Sequence, residues 1–176
     1  MSWKRPSQDE YHPFYENYVK TVPEGAFLST FKHESAQTAK LLASLTEAQW
    51  DHSYAPGKWT IKELLVHMMD SERVFAYRCL RIARGDQTPL PGFEQDDYTP
   101  TSEANARTSQ NILTEWTALR ASTLAFLNNL TPTMIERTGT ASGATVSVRA
   151  LGYMLMGHEL HHRNIINDRY LPSACS

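Results

Sequence analysis

The chain has 176 residues, of which 41% are hydrophobic and 20% charged, and its 17 Lys and Arg against 19 Asp and Glu give a formal net charge of −2. That length predicts one domain with a core of its own, and the composition excludes wholesale disorder. The near-balanced charge contains no segregated basic block, so neither a nucleic-acid clamp nor a polybasic membrane anchor is expected.

Residues 1–10 are polar and contain no apolar run resembling a signal peptide. An aromatic arm follows, Tyr11 to Tyr18, within a predicted N-terminal segment 1–22 that packs outside the rest. Pro23-Glu24-Gly25 then punctuates the chain, and Phe27, Leu28, Phe31, Leu41, Leu42 and Leu45 recur at spacings that predict a helix over about 24–44. Ala55-Pro56-Gly57 marks a turn. Thr60 and Glu63 form a capping box, and Ile61, Leu64, Leu65, Met68, Phe75, Cys79 and Ile82 make one apolar stripe that stops at Gly85, predicting a second helix over about 60–84.

Residues 85–101 hold Gly85, Pro89, Pro91, Gly92 and Pro100, too irregular a run for a helix. These seventeen residues, at roughly 3.3 Å each, can run the length of a helix of about 25 residues, so the second and third helices are expected to be parallel neighbours joined by a crossover. Thr101 or Ser102 can cap the third helix, which carries Ile112, Leu113, Trp116, Leu119, Leu124, Phe126, Leu127 and Leu130 before Pro132. A second linker spans 131–146. The fourth helix opens near Ser147, carries Leu151, Met154, Leu155, His158, His162 and Ile165 on one face, and ends before Pro172. The predicted fold is all-α, a four-helix bundle over 24–170.

Two cysteines, Cys79 on an apolar stripe and Cys175 near the end, can build neither a disulfide framework nor a cysteine zinc site. No stretch approaches the roughly 18 uninterrupted apolar residues of a membrane span. The expectation is a soluble protein of a reducing cytoplasm, working on a small molecule without nucleic acid or membrane.

The chemistry concentrates in Gly157-His158-Glu159-Leu160-His161-His162, which places three of the seven histidines within five residues. Positions i and i+4 lie about 40° apart and one turn up, so His158 and His162 can reach one ion, and they share the face of Leu151 and Met154 that points inward. His161 is rotated off that line and reads as a rim residue. The plainer alternative is a pair of buried, hydrogen-bonded histidines. A third ligand is expected from His67, which lies at a matching depth, roughly 10 Å from the start of its helix, if the second and fourth helices are antiparallel. His67 flanks the apolar stripe instead of centring it; His12, His33 and His52 fit less well.

Two other motifs overlap these residues. His158-Glu159-x-x-His162 matches the H-E-x-x-H pattern of zinc peptidases, with Glu159 as base and Asp168 as the remaining ligand. The glycine that an extended version wants is absent, since Ile165 stands there. Glu159-x-x-His162 is also half of a di-iron carboxylate site, but the residue three before His67 is Leu64.

Trp59-Thr60-Ile61-Lys62-Glu63 leading to His67-x-x-Asp70, the run Arg81-Ile82-Ala83-Arg84-Gly85-Asp86 with Pro89-Leu90-Pro91-Gly92-Phe93, and Gly157-His158-Glu159-x-x-His162 together resemble the DinB-like (YfiT-like) superfamily over about residues 11–170. The resemblance implies an up-down-down-up four-helix bundle, often dimeric, with a divalent ion held by His67, His158 and His162. It also implies chemistry of the kind its characterised members perform, thiol-dependent transfer or isomerisation with bacillithiol, mycothiol or glutathione.

A three-histidine site leaves a position open, as in catalytic zinc. The open position together with the resemblance makes the expected function a metal-dependent enzyme, and it is the resemblance that implies the thiol-dependent S-transferase or isomerase type. The ion is expected to be Zn or Ni, with Fe or Mn as further choices, the substrate a small molecule or low-molecular-weight thiol, and the protein a homodimer whose arm aromatics could cover a partner. The alternative is a non-catalytic, stress-associated bundle that the ion only staples. Arg78 could meet an anionic substrate or be an ordinary solvated or ion-paired arginine. Cys79 reads as core. Asp70 and Glu159 could accept hydrogen bonds from the ligand rings, or be exposed helix carboxylates.

Overall fold

Capping residues and one glycine set the ends of the long helices in the computed structural model, which describes residues 3–171; Pro172 and Cys175 lie outside the described residues. The helices are α1 (Glu16–Thr21), α2 (Phe27–Ala43), α3 (Glu47–Trp50), α4 (Ile61–Ala83), α5 (Gln95–Thr101), α6 (Ser109–Asn128), α7 (Pro132–Ile135) and α8 (Val148–Ile165). A small antiparallel hairpin pairs β1 (Thr138–Ala141) with β2 (Ala144–Ser147). Thr60 Oγ1 accepts from the Glu63 amide at 3.1 Å while Glu63 Oε2 accepts from the Thr60 amide at 2.8 Å, the reciprocal box that starts α4. Ser147 Oγ accepts from the Ala150 amide at 3.0 Å and starts α8. Gly85, at φ +82°, turns the chain out of α4 in the left-handed region that a side chain disfavours.

The linker expected over 131–146 holds α7 and the hairpin, and three further boundaries differ from the sequence-based expectation. Gly25, at φ +139°, cannot be helical, so α2 starts at Phe27 and not near 24. The crossover contains a helix after all: Asp96 and Asp97 in the first turn of α5 favour its positive end, and Pro100 falls in its last turn, where it withholds one intrahelical N–H donor. Thr101 and Ser102 consequently end α5, and the cap of α6 is Thr108, whose hydroxyl accepts from the Asn111 amide at 3.2 Å.

Side-chain contacts give the direction of each long helix. Thr60 just before α4 meets Asn105 just before α6 (2.7 Å), Arg73 within α4 meets Glu115 within α6 (2.5 Å), and Arg84 just after α4 meets Met134 just after α6 (3.7 Å), so the two are parallel, as the crossover length predicted. Along α2 and α8, Phe27 meets Tyr153, Ser35 meets Glu159 and Thr38 meets Arg163, again in parallel. Between α4 and α8 the order reverses, with Cys79 beside Val148, Phe75 beside His158 and His67 beside His162. The arrangement is up-down-down-up. No helix of the described residues is long and apolar enough to cross a membrane.

All four long helices meet at one guanidinium. Arg120 of α6 is 5% exposed and donates to both oxygens of Glu72 on α4, Nε to Oε1 at 3.1 Å and Nη2 to Oε2 at 2.7 Å. Its Nη1 donates to Glu159 on α8 and to Ser35 on α2. Burial alone would lower the pKa of Arg120, but the carboxylates of Glu159 and Glu72 more than reverse this and hold it above the ordinary value.

The N-terminal arm lies against α8 but is not merely external. Trp3 and Tyr11 are buried, and the Trp3 ring stacks on Phe27 at 4.6 Å. A Cβ at Gly157 would come 2.1 Å from the carbonyl oxygen of Tyr18, so α1 can approach α8 this closely only because position 157 has no side chain.

Removing one member of a buried ion cluster strands the others. Arg120→Leu is expected to lower the unfolding free energy by about 3–5 kcal/mol in urea denaturation; a loss below about 1 kcal/mol would show that the junction is not a structural anchor.

Candidate metal centre

His67 sits two turns into α4, while His158 and His162 sit one turn apart in the second half of α8. Because α4 and α8 are antiparallel, these positions come to the same level. All three residues are buried, at 4%, 6% and 7% exposure. His158 Nε2 lies 3.1 Å from His67 Nε2 and 3.0 Å from His162 Nε2. The three rings are mutually near perpendicular, with centroids 4.4 to 5.0 Å apart.

Hydrogen bonding among the rings cannot account for this convergence. A ring nitrogen offers one in-plane direction, either a proton or a lone pair, and His158 Nε2 faces two others at once. Three ring nitrogens gathered within reach of one ion instead match the donor set of a cation. Around a tetrahedral zinc with bonds of about 2.0–2.1 Å, ligand nitrogens lie about 3.3 Å from one another, close to the separations found. Behind His158, Glu72, Arg120 and Glu159 line a small shared space, and Glu159 Oε1 is buried there with no hydrogen-bond partner. Two carboxylates against one guanidinium leave a formal surplus of negative charge beside the triad, which favours a cation.

Burial keeps the rings neutral. It lowers His67 to about 4, despite the opposing effect of the Asp96 charge. His158 and His162 are pushed well below the ordinary value by burial first and by the neighbouring imidazoles second. Neutral rings leave their lone pairs available at pH 7.

Two clefts open on the triad. One of about 280 Å³ reaches His162 between Tyr54, Trp59 and Tyr170, and the other, of about 270 Å³, reaches His158 between Tyr15, Tyr18, Ser71 and Phe75. Asp96 of α5 lines both, so the crossover helix stands at the mouth of the site. Trp59 stands 4.9 Å from the His67 ring and Tyr18 5.4 Å from the His158 ring.

The other sequence candidates fall outside this group. His161 is half-buried at the rim, its ring tilted against that of Tyr18, as expected. His12 caps a 3-10 turn, and His33 and His52 are exposed. Glu159 is neither an exposed carboxylate nor an acceptor for a ligand ring, because its Oε2 is taken by Arg120 and Ser35. Asp70 pairs with Arg73 at 3.5 Å, and His162 Nδ1 is buried without a partner, so the expected carboxylate support for the rings is not there. Asp168 is exposed and outside the cluster, and Glu159 is held by Arg120, which together remove the peptidase arrangement. Cys79 is core, with burial pushing its thiol pKa up. Arg78 is neither solvated nor ion-paired; it is buried, with Nη2 donating to Pro91 O and Ser142 Oγ. The sequence reading missed Asp96, Trp59 and Tyr18. Trp59 and Tyr18 carried the weak signal of aromatics beside a cap and in the arm; Asp96 lay in a stretch that gave none.

A family model described as the DinB superfamily matches residues 30–166. Among solved structures, the chain is similar to YfiT from Bacillus subtilis, described as a probable metal-dependent hydrolase with an unusual four-helix bundle topology. The TM-score is 0.66 at 16% sequence identity, covering 94% of this chain and 93% of that chain. A likeness at that identity carries the fold and not the activity. No curated protein matches the chain.

Protons and metal compete for the same nitrogens. Three independent imidazoles of pKa 6.5 would lose roughly 60-fold in metal affinity between pH 8 and pH 6. With His67 lowered to about 4 and its partners lowered further, zinc affinity is expected to change less than about threefold over that range and to fall only as the pH approaches 4. Calorimetric titration at pH 8, 7 and 6 checks this, and a steep loss between 8 and 6 would contradict it.

Proposed function

Since the chain belongs to the DinB superfamily, we propose that it binds one divalent metal ion through His67, His158 and His162 and uses it to transform a small molecule, most directly by thiol-dependent S-transfer or isomerisation. The convergence of the three Nε2 atoms carries the reading. A bound ion would supply Lewis acidity and lower the pKa of a thiol or water reaching its remaining position.

The chain's own residues favour a working site over a staple. Among the described residues, the side chains close enough to share one ion are these three histidines, with no fourth His, Cys, Asp or Glu in the group. Clefts approach the trio from two sides, one for each of two reactants, and their aromatic walls from Trp59, Tyr18 and Phe75 can bury apolar surface and exclude water. Asp96, at the mouth of both, is placed to accept a proton from an entering thiol. Zn and Ni suit three imidazoles best, with Fe and Mn also compatible. Hydrolysis is the second reading, with water in place of the thiol, and rests on the description of YfiT as a probable metal-dependent hydrolase.

A low-molecular-weight thiol partner, a cytoplasmic setting and a homodimer belong to the same proposal. The arm contributes less to a dimer surface than its composition implied, because Trp3 and Tyr11 are buried in their own subunit while Phe14 is 70% exposed.

Zinc titration of metal-free variants tests the ligand set. His67→Ala and His158→Ala are each expected to weaken binding by more than about 100-fold, beyond the loss of an outer contact, and Asp168→Ala to leave it unchanged. If His67→Ala binds like wild type, the triad is wrong. Turnover of bacillithiol, mycothiol and glutathione with electrophiles then tests the reaction: metal-dependent thiol consumption supports transfer, metal-dependent hydrolysis without thiol supports the second reading, and neither leaves the staple.

A further inference from the structure

Lys62, Arg78 and Arg120 are the buried cations among the described residues. Lys62 meets Asp51 at 2.7 Å and Arg120 meets Glu72 and Glu159. Arg78, 3% exposed, has no carboxylate partner among the described residues. What surrounds its guanidinium is neutral. Nη2 donates to Pro91 O at 2.7 Å and to Ser142 Oγ at 2.9 Å, the Tyr15 hydroxyl faces it, and the rings of Phe75 and Phe93 lie 5.9 and 6.0 Å away. Burial accordingly lowers its pKa, with only Tyr15 opposing. An unpaired buried charge is costly, and an anion entering beside it would offset that cost.

The place where such a charge would enter is open. Between α4 and the crossover lies a cleft of about 310 Å³, within the size range of small-molecule sites. Arg78 forms part of its wall, and no carboxylate lines it. Its other cation, Arg73, is already paired with Glu115 at 2.5 Å and Asp70 at 3.5 Å, so Arg78 is the uncompensated one. The rest of the wall is apolar or uncharged, with Leu90, Pro91 and Phe93 beside the phenols of Tyr77 and Tyr98 among it. Such a wall fits an apolar or aromatic body, and a guanidinium fork fits the planar carboxylate attached to it.

We propose that the cleft between α4 and the crossover is a binding site for a small carboxylate with an apolar or aromatic body, whose anionic group pairs with Arg78. Nη2 holds Pro91 O and Ser142 Oγ and the Tyr15 hydroxyl also faces the guanidinium, so the ligand would pair with the N–H donors that these neutral partners leave free. Phe93 lines both this cleft and the one that reaches His158, so an occupant would lie next to the metal centre without depending on it.

The test titrates the full-length protein, metal-free and zinc-loaded, with benzoate, its neutral isostere benzamide, and inorganic phosphate. Benzoate is expected to bind at least about tenfold more tightly than either of the others, with the same affinity in both forms, and to shift the amide resonances of Leu90 and Gly92 and the Arg78 side-chain resonance. Arg78→Gln is expected to lose at least about tenfold, and Arg73→Gln less than about threefold. If Arg78→Gln does not fold, the resonance shifts in wild type decide. Equal binding of benzoate and benzamide, undiminished binding by Arg78→Gln, or shifts confined to the histidines and seen only with zinc would overturn the proposal. Failure of the metal centre would leave the metal-free arm intact, so the two proposals fail separately.

Discussion

The four long helices are tied at the Arg120 guanidinium, and the register of the helices that carry the three histidines rests on that tie. Arg120 reaches Glu72 on α4, Glu159 on α8 and Ser35 on α2 from its own place on α6. A hydrophobic stripe tolerates sliding by a residue or rotation by tens of degrees. A bidentate ion pair in a dry interior does not, because small displacements leave charges unsatisfied. Glu72 follows His67 by five residues and Glu159 directly follows His158, so the junction sets the register of the two ligand-bearing helices close to where the histidines converge.

From that register the rest of the site follows in steps. Antiparallel α4 and α8 bring His67 level with His158 and His162. The crossover that parallel α4 and α6 require carries α5 across the mouth of the site, where Asp96 faces both clefts. The arm completes the wall: Gly157 lets α1 press against α8, and Tyr18 arrives beside His158. Burial that would be a penalty for three separate imidazoles becomes an advantage for a shared ion, since a neutral ring keeps a lone pair from which no proton has to be displaced.

Local patterns made most of the fold legible. Thr60, Glu63 and Ser147 advertise helix starts because capping is decided within four residues, and the length of 85–101 reveals parallel helices because chain reach is a matter of arithmetic. His158 and His162 stand out by helical spacing, and His67 by its depth. The roles of Glu159, Glu72 and Arg120 were not legible. Charged residues do not announce burial, and the partners are separated by 39 and 48 positions in sequence. Glu159 in particular matches a peptidase motif by letter while its side chain serves the junction. The helix in the crossover was hidden by its prolines, and Arg78 looked like any arginine on a helix flank because nothing in sequence shows which cations lack an acid.

The central claim is that the three imidazoles share one ion. X-ray absorption at the zinc edge of the zinc-loaded protein tests it most directly. The account predicts three imidazole nitrogens at about 2.0–2.1 Å together with one further light atom, and no sulfur. A first coordination sphere with fewer than three imidazoles would contradict it, however tightly the metal is bound.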